Sequence, residues 1–431
     1  MADAPKKAAD APKAERARNT SPGESLQRAL RWWRIWSSRA DVRVACVATL
    51  ALRLVCSAVA ALIVVLFPQA IPPSAGLARY LTAPWWRWDT IWYLKIAEHG
   101  YTDYGSTAFL PLYPLLIRGL GTLLGGHFLA AALLISTLAS FGALLCLYRL
   151  AEKLSQAPQV APWTVLAAVL LPVSFFLMAG YTEALFLWLT FGALLAWMEG
   201  RWGRFAALAV LATLTRHQGV LLSLLVAPLC LRALWELLQK RSAGVAGAAS
   251  GATLRVLGKA LGAGLAGPLA YLGWVLVVGL LLSAPLPWEP LAASNGWNLH
   301  YTWPGAGIVA DLVMLTQPAL ALRLGLGLST LLLDALAALL TGAVLLVAAR
   351  RLPPELLLFA WAVWCLALVK VQSQGLTVSA ARYLLPLLPL AILPGGLLAR
   401  GRPWQRLVWV AGWSLALLLL IAAFVLNDWV A

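Results

Sequence analysis

The chain is predicted to be an all-α polytopic membrane protein, and three observations predict it. Of its 431 residues, 61% are hydrophobic and only 12% are charged, against roughly 25% charged in an ordinary soluble domain. Its charge is one-sided, with 33 Lys and Arg against 17 Asp and Glu, a net +16. Such an excess is what Lys/Arg-loaded cytoplasmic loops produce, so a nucleic-acid partner is not expected. Its 22 tryptophans suit side chains that settle at membrane–water interfaces. With about 20 apolar residues per span, the length accommodates about 11 transmembrane helices plus tails and loops.

The elements follow in order. Residues 1–24 are Ala-, Pro- and Lys-rich without apolar periodicity, which predicts a disordered basic cytoplasmic tail. Residues 25–43 alternate Leu26, Leu30, Trp33 and Trp36 with Arg28, Arg31, Arg34 and Arg39. That pattern predicts an amphipathic helix on an anionic leaflet. The membrane domain proper is residues 44–431. Val44 to Phe67 is the first span, and the Arg residues before it place the N-terminus in the cytoplasm. Pro68 to Thr107 is a large first external loop carrying interfacial helices. Further spans are expected at 127–150, 162–179, 183–198, 205–214, 220–234, 261–283, 319–347, 355–369, 383–398 and 407–426, with a second external loop from 284 to about 317. Several are short or broken by proline, and irregular backbone at membrane depth requires protein or a water-filled cavity around it. A cavity on the external side follows. Alanine and leucine bias with short loops points to a bacterial inner membrane.

The most informative stretch is Trp85 to Tyr101. Helical spacing puts Trp85, Trp88, Trp92 and Ile96 on one face and Asp89 with Tyr93 on an adjoining one; Gly100 ends the helix. A tryptophan stripe would pin this helix at the interface and hold one carboxylate where a base could serve a polar acceptor and a lipid-borne donor. Equally, Asp89 could pair with Arg87 or Lys95 in a structural helix. Five cysteines show no ligand spacing and read as buried thiols. His99, His127, His217 and His300 are scattered, and Asp89, Glu98 and His99 do not share a helix face, so no metal is expected. Arg53 and Asp334 fall inside spans, as functional groups or as buried structural ones.

Five segments together resemble the PIG-V family of mannosyltransferases. They are Arg87-Trp88-Asp89 with Ile96-Ala97-x-x-Gly100-Tyr101; Phe109-Leu110-Pro111-Leu112-Tyr113-Pro114; Pro172-Val173-Ser174-Phe175-Phe176 with Tyr181-Thr182-Glu183; Thr215-Arg216-His217-Gln218-Gly219; and Arg382-Tyr383-Leu384-x-Pro386. The resemblance spans about residues 85 to 390 and implies the GT-C fold, a polyprenyl-phosphate sugar donor, inversion, and Asp89 as the catalytic carboxylate. The acceptor, a glycolipid or glycan hydroxyl, is not carried over with it.

Within that scheme Glu183 sits at an outer turn, able to orient an acceptor or a catalytic side chain, or simply to favour a helix N-terminus. Arg216 with His217, and Arg382 with Tyr383 near Lys370, are expected to grip the donor phosphate; snorkelling to headgroups is the alternative for Arg216. Trp88, Tyr93, Tyr113 and Tyr181 are expected to shape the site or touch the acceptor. No cofactor is called for. The rival class is a transporter or flippase of a lipid-linked substrate, which would also use a cavity, broken helices and intramembrane charge. The chain carries no second copy of the Trp-Asp segment that a repeated carrier would show.

Overall fold

The computed structural model describes residues 39–70, 76–242, 251–293, 299–323, 327–372 and 375–426. The predicted tail, 1–24, and residues 25–38 of the predicted surface helix lie outside the described residues. Ala40 to Arg43 belong instead to the first long helix, α1 (Ala40–Leu66). Then come α2 (Asp89–His99), α3 (Leu112–Leu123), α4 (Phe128–Ser155), α5 (Val160–Val169), α6 (Glu183–Met198) and α7 (Trp202–Thr215). The second half holds α8 (Ala227–Ser242), α9 (Gly251–Leu281), α10 (Ala306–Leu315), α11 (Leu328–Ala348), α12 (Pro354–Leu368), α13 (Ala380–Tyr383), α14 (Ile392–Arg400) and α15 (Pro403–Val425). A two-stranded antiparallel ladder, β1 (Leu299–Tyr301) with β2 (Lys370–Gln372), pairs Tyr301 with Lys370.

Among the described residues, six helices are long and apolar enough to cross a membrane, and six shorter apolar ones of 10–17 residues accompany them. The expectation of about 11 full spans is therefore not matched one for one. Three expected spans change helix type along their length. The one at 162–179 stops as an α-helix at Val169 and resumes as a 3-10 turn, Pro172–Leu177, because Pro172 has no amide to continue the ladder. The one at 220–234 begins as a nine-residue 3-10 segment, His217–Leu225. Within residues 319–347 the described helices are Pro318–Arg323 and α11. Residues 383–398 hold the 3-10 segment Leu385–Ala391, which contains Pro386 and Pro389, before α14.

The core is built around α6. All but three of its residues are buried, as expected for a helix that is apolar on every side. Helix α4 packs along it and along α1, presenting Ala131, Ala132, Ser136, Ala139, Ser140 and Ala143 as buried small residues. Small side chains let backbones approach, and the serines bond across: Ser140 Oγ donates to Leu177 O at 2.6 Å. Arg53 is structural, its guanidinium donating to Thr137 Oγ1 at 3.0 Å and Leu133 O at 3.1 Å. Large apolar residues such as Leu50, Leu54, Leu269 and Leu407 face outward and exposed, the arrangement of a surface solvated by lipid.

Candidate active site

Helix α2 starts at Asp89, not at Trp85. Trp88, just before it, has φ 45° and ψ −120°, a left-handed conformation that costs an L-residue with a bulky side chain about 1–3 kcal/mol and clusters at functional sites. The neighbouring chain enforces it. Trp85 is fully buried against Phe424, ring centroids 6.0 Å apart, and Arg87 Nη2 donates to Val425 O at 2.9 Å, tying the turn to the end of α15. The expected tryptophan stripe is therefore not one face of one helix: Trp85 belongs to the core, and Trp92 stacks on Phe109 at 5.7 Å. The pairing of Asp89 with Tyr93 one turn on does hold, and Gly100 ends the helix with φ 79°.

Neither expected local partner takes Asp89. Lys95 Nζ lies 2.7 Å from Asp103 Oδ2 and, by that bond, holds the Asp103 carboxyl below its usual range. Asp89 is bound by Arg382, Nη2 to Oδ2 at 2.5 Å. Arg382 Nε lies 2.6 Å from Glu183 Oε1, and Arg216 Nη1 lies 2.5 Å from that same oxygen. Arg216 Nη1 also donates to Thr182 Oγ1 at 3.1 Å, and Thr182 Oγ1 meets the Tyr93 hydroxyl at 3.2 Å. The polar groups thus run from Asp89 through Arg382, Glu183, Arg216 and Thr182 to Tyr93, which returns to Asp89 along α2.

Two carboxylates balance two guanidiniums in this chain of contacts, which is how buried charge is tolerated. Burial works against the charge on Arg382, but the Glu183 and Asp89 carboxylates outweigh it and hold its pKa well above the ordinary value. Its guanidinium also lies over Tyr181 at 4.9 Å and Phe176 at 5.2 Å, while Arg216 lies over Tyr383 at 4.8 Å. Burial first, then the Asp89 and Glu183 charges, raises the Tyr93 phenol, keeping it a neutral hydrogen-bonding group.

Local structure explains how each arginine is aimed. Ser379 adopts φ 53° before α13, and the segment is clamped by two aspartates from neighbouring helices. Asp334 Oδ1 accepts from Ala381 N at 2.8 Å, and Asp311 accepts from both the amide (3.1 Å) and the hydroxyl of Thr377. Asp334 is thereby a structural acceptor. Arg216 sits where α7 passes into the 3-10 segment. A Cβ on Gly219 would fall inside the backbone of Ala212 and Thr213, so only glycine lets that turn close. Gln218 Nε2 then donates to Tyr383 O at 2.9 Å, and the His217 ring stands 6.3 Å from the Tyr383 ring.

A cavity of about 360 Å³ opens on this arrangement. Asp89, Tyr93, Arg216, His217, Arg382 and Tyr383 line it, so six of the ten expected site residues share one space. The other four stand behind. Glu183 is only 2% exposed and is the shared counter-ion of both arginines. Tyr181 is buried beneath Arg382. Tyr113 is fully buried, its hydroxyl 2.9 Å from Ser136 Oγ, and its ring meets Tyr93 edge-on at 5.0 Å; it supports the site's wall without reaching the cavity. Trp88 sets the backbone that aims Asp89. The lining also takes in Thr182, from the Tyr-Thr-Glu segment; Tyr271 and Tyr301, which the sequence did not single out; and Gln372 with Lys370. Only the alternation Lys370-Val371-Gln372 at the end of an apolar run could have signalled the last two. Glu98 and His99 pair at 3.7 Å at the far end of α2.

The long and broken helices bundled around this site form a GT-C fold. The fold is similar to that of ArnT from Cupriavidus metallidurans, solved bound to undecaprenyl phosphate, at TM-score 0.51 and 15% identity over 89% of this chain and 76% of that one. Residues 51–247 match the family model Mannosyltransferase (PIG-V). It is 34% identical over 165 residues to GPI alpha-1,6-mannosyltransferase 2 of Rattus norvegicus, covering 36% of this chain and 34% of that protein. It is 30% identical over 157 residues to GPI mannosyltransferase 2 of Schizosaccharomyces pombe, 34% of this chain and 32% of that one. The chain spans about a third of the length of these curated relatives.

Proposed function

We propose that this protein is an integral-membrane glycosyltransferase. It transfers a hexose, most simply mannose, from a polyprenyl-phosphate sugar to a hydroxyl of a glycolipid or glycan on the non-cytoplasmic face of a bacterial inner membrane. The observation that carries the reading is that Asp89 is the one carboxylate among the described residues lining the cavity. It keeps 14% side-chain exposure while one oxygen is held by Arg382.

Asp89 takes the proton from the acceptor hydroxyl as that oxygen forms its bond to the anomeric carbon. The bond from that carbon to the phosphate oxygen breaks in line, so the configuration inverts and polyprenyl phosphate departs. A general base contributes about 10²–10⁴-fold; positioning and charge stabilisation supply the remainder. Arg216 and Arg382, with His217 and Tyr383 beside them, form the positive wall facing the charge that collects on the leaving phosphate. Glu183 holds both guanidiniums in place, and the scheme calls for no nucleotide and no cofactor. Tyr93 and Thr182 line the acceptor's approach.

The test is transfer in proteoliposomes loaded with radiolabelled polyprenyl-phosphate mannose and a range of glycolipid acceptors. Label appearing in a new glycolipid with inverted anomeric configuration supports the reading. Movement of the labelled lipid between leaflets without any sugar transfer would establish the transporter alternative instead.

A further inference from the structure

We infer that Lys370 is the residue that receives the phosphodiester of a lipid-linked sugar, with the Gln372 amide as a second donor beside it. The assignment deepens the glycosyl-transfer reading and rests on it. Among the described residues, the cavity-lining cations are three: Arg216, Arg382 and Lys370. Both arginines are already in contact with buried carboxylates at 2.5–2.6 Å. Each guanidinium keeps N–H donors for a phosphate, but its charge is already matched by Asp89 and Glu183, which leaves Lys370 as the cation whose charge is not.

Lys370 is different. No described residue offers it a carboxylate, and the flanking stretches 294–298 and 373–374 contain no Asp or Glu. Its ammonium lies 5.7 Å from the centre of the Tyr383 ring, over which Arg216 also sits. Along a strand, residues two apart share a face; Lys370 and Gln372 both face the cavity from β2, and Tyr301, the partner of Lys370 across the ladder, lines it too. An ammonium, an amide N–H₂ and phenol hydroxyls on one wall form a donor set for a singly charged phosphodiester. The balanced Asp89–Arg382–Glu183–Arg216 group can stay intact while it binds.

The assignment is tested on the full-length protein in nanodiscs with two probes: radiolabelled polyprenyl phosphate for binding and polyprenyl-phosphate mannose for turnover. Lys370→Gln should weaken both polyprenyl-phosphate binding and donor KM by about ten- to a hundredfold, the worth of one charge-assisted contact. Lys370→Arg should restore most of it, and thermal midpoints should stay together because the side chain is half-exposed on a short ladder. Inorganic phosphate at millimolar concentration should not displace the lipid; equal competition would mean a free-phosphate site and overturn the lipid-linked assignment. Wild-type binding by Lys370→Gln would overturn it outright, as would a loss appearing in kcat with KM unmoved. Binding of polyprenyl phosphate that depends on Lys370, without sugar transfer by the wild type, would sink the transferase reading and leave the phosphate site standing.

Discussion

Arg382 Nη2 lies 2.5 Å from Asp89 Oδ2, joining residues 293 positions apart. The contact ties the segment that matches the PIG-V family model, 51–247, to a segment outside that match. Each partner follows a residue with positive φ, Trp88 at 45° and Ser379 at 53°. Strain on both sides of one ion pair is tolerated when the surroundings over-determine it, and here they do: Arg87 is tied to Val425, and Ala381 to Asp334.

Asp89→Asn keeps an oxygen for Arg382 to donate to, so α2 should remain docked. The amide cannot take the acceptor's proton, and turnover should fall by roughly 10²–10⁴-fold with donor KM little changed. Initial rates of radiolabelled sugar transfer measure it; near-wild-type turnover would remove Asp89 from the chemistry.

Glu183→Gln deprives two guanidiniums of one counter-ion. Breaking a buried pair in this way costs about 3–5 kcal/mol, so the thermal midpoint in detergent should drop sharply along with activity. If activity vanished while the midpoint stayed put, Glu183 would be acting on substrate and not as a counter-ion.

Asp334→Ala leaves the Ala381 amide without its acceptor, a loss of about 1–3 kcal/mol, and lets α13 shift Arg382. Asp334→Asn retains an acceptor oxygen and should recover most of the transfer rate. A positioning role predicts that order of rates, Asn well above Ala; two equally impaired variants would contradict it.

Gly219→Ala places a Cβ against the backbone of Ala212 and Thr213. Overpacking of this kind costs about 1–3 kcal/mol and would push Arg216 away from Glu183. Reduced recovery of monodisperse protein on size exclusion, with weaker transfer in what remains, is the expected result; unaltered yield and rate would show that the turn can open freely.

The sequence by itself determined the membrane class, the approximate positions of the apolar helices, and the motif residues. These depend on local quantities: apolar content over about 20 residues, proline's missing amide, and the 3.6-residue repeat that set Asp89 beside Tyr93. Tertiary structure alone decided what those residues do for one another. Nothing near Asp89 in sequence marks Arg382 as its partner, since Arg87 and Lys95 are closer along the chain and carry the same charge. Nor does a Tyr-Thr-Glu turn reveal whether its carboxylate faces a substrate or two buried arginines. Tyr113 reads as a site residue until packing puts Tyr93 between it and the cavity, and Lys370 gains meaning only when β2 turns it toward Tyr383. Ion pairing is set by distance in space and by which charges are shielded from water, and a linear pattern carries neither.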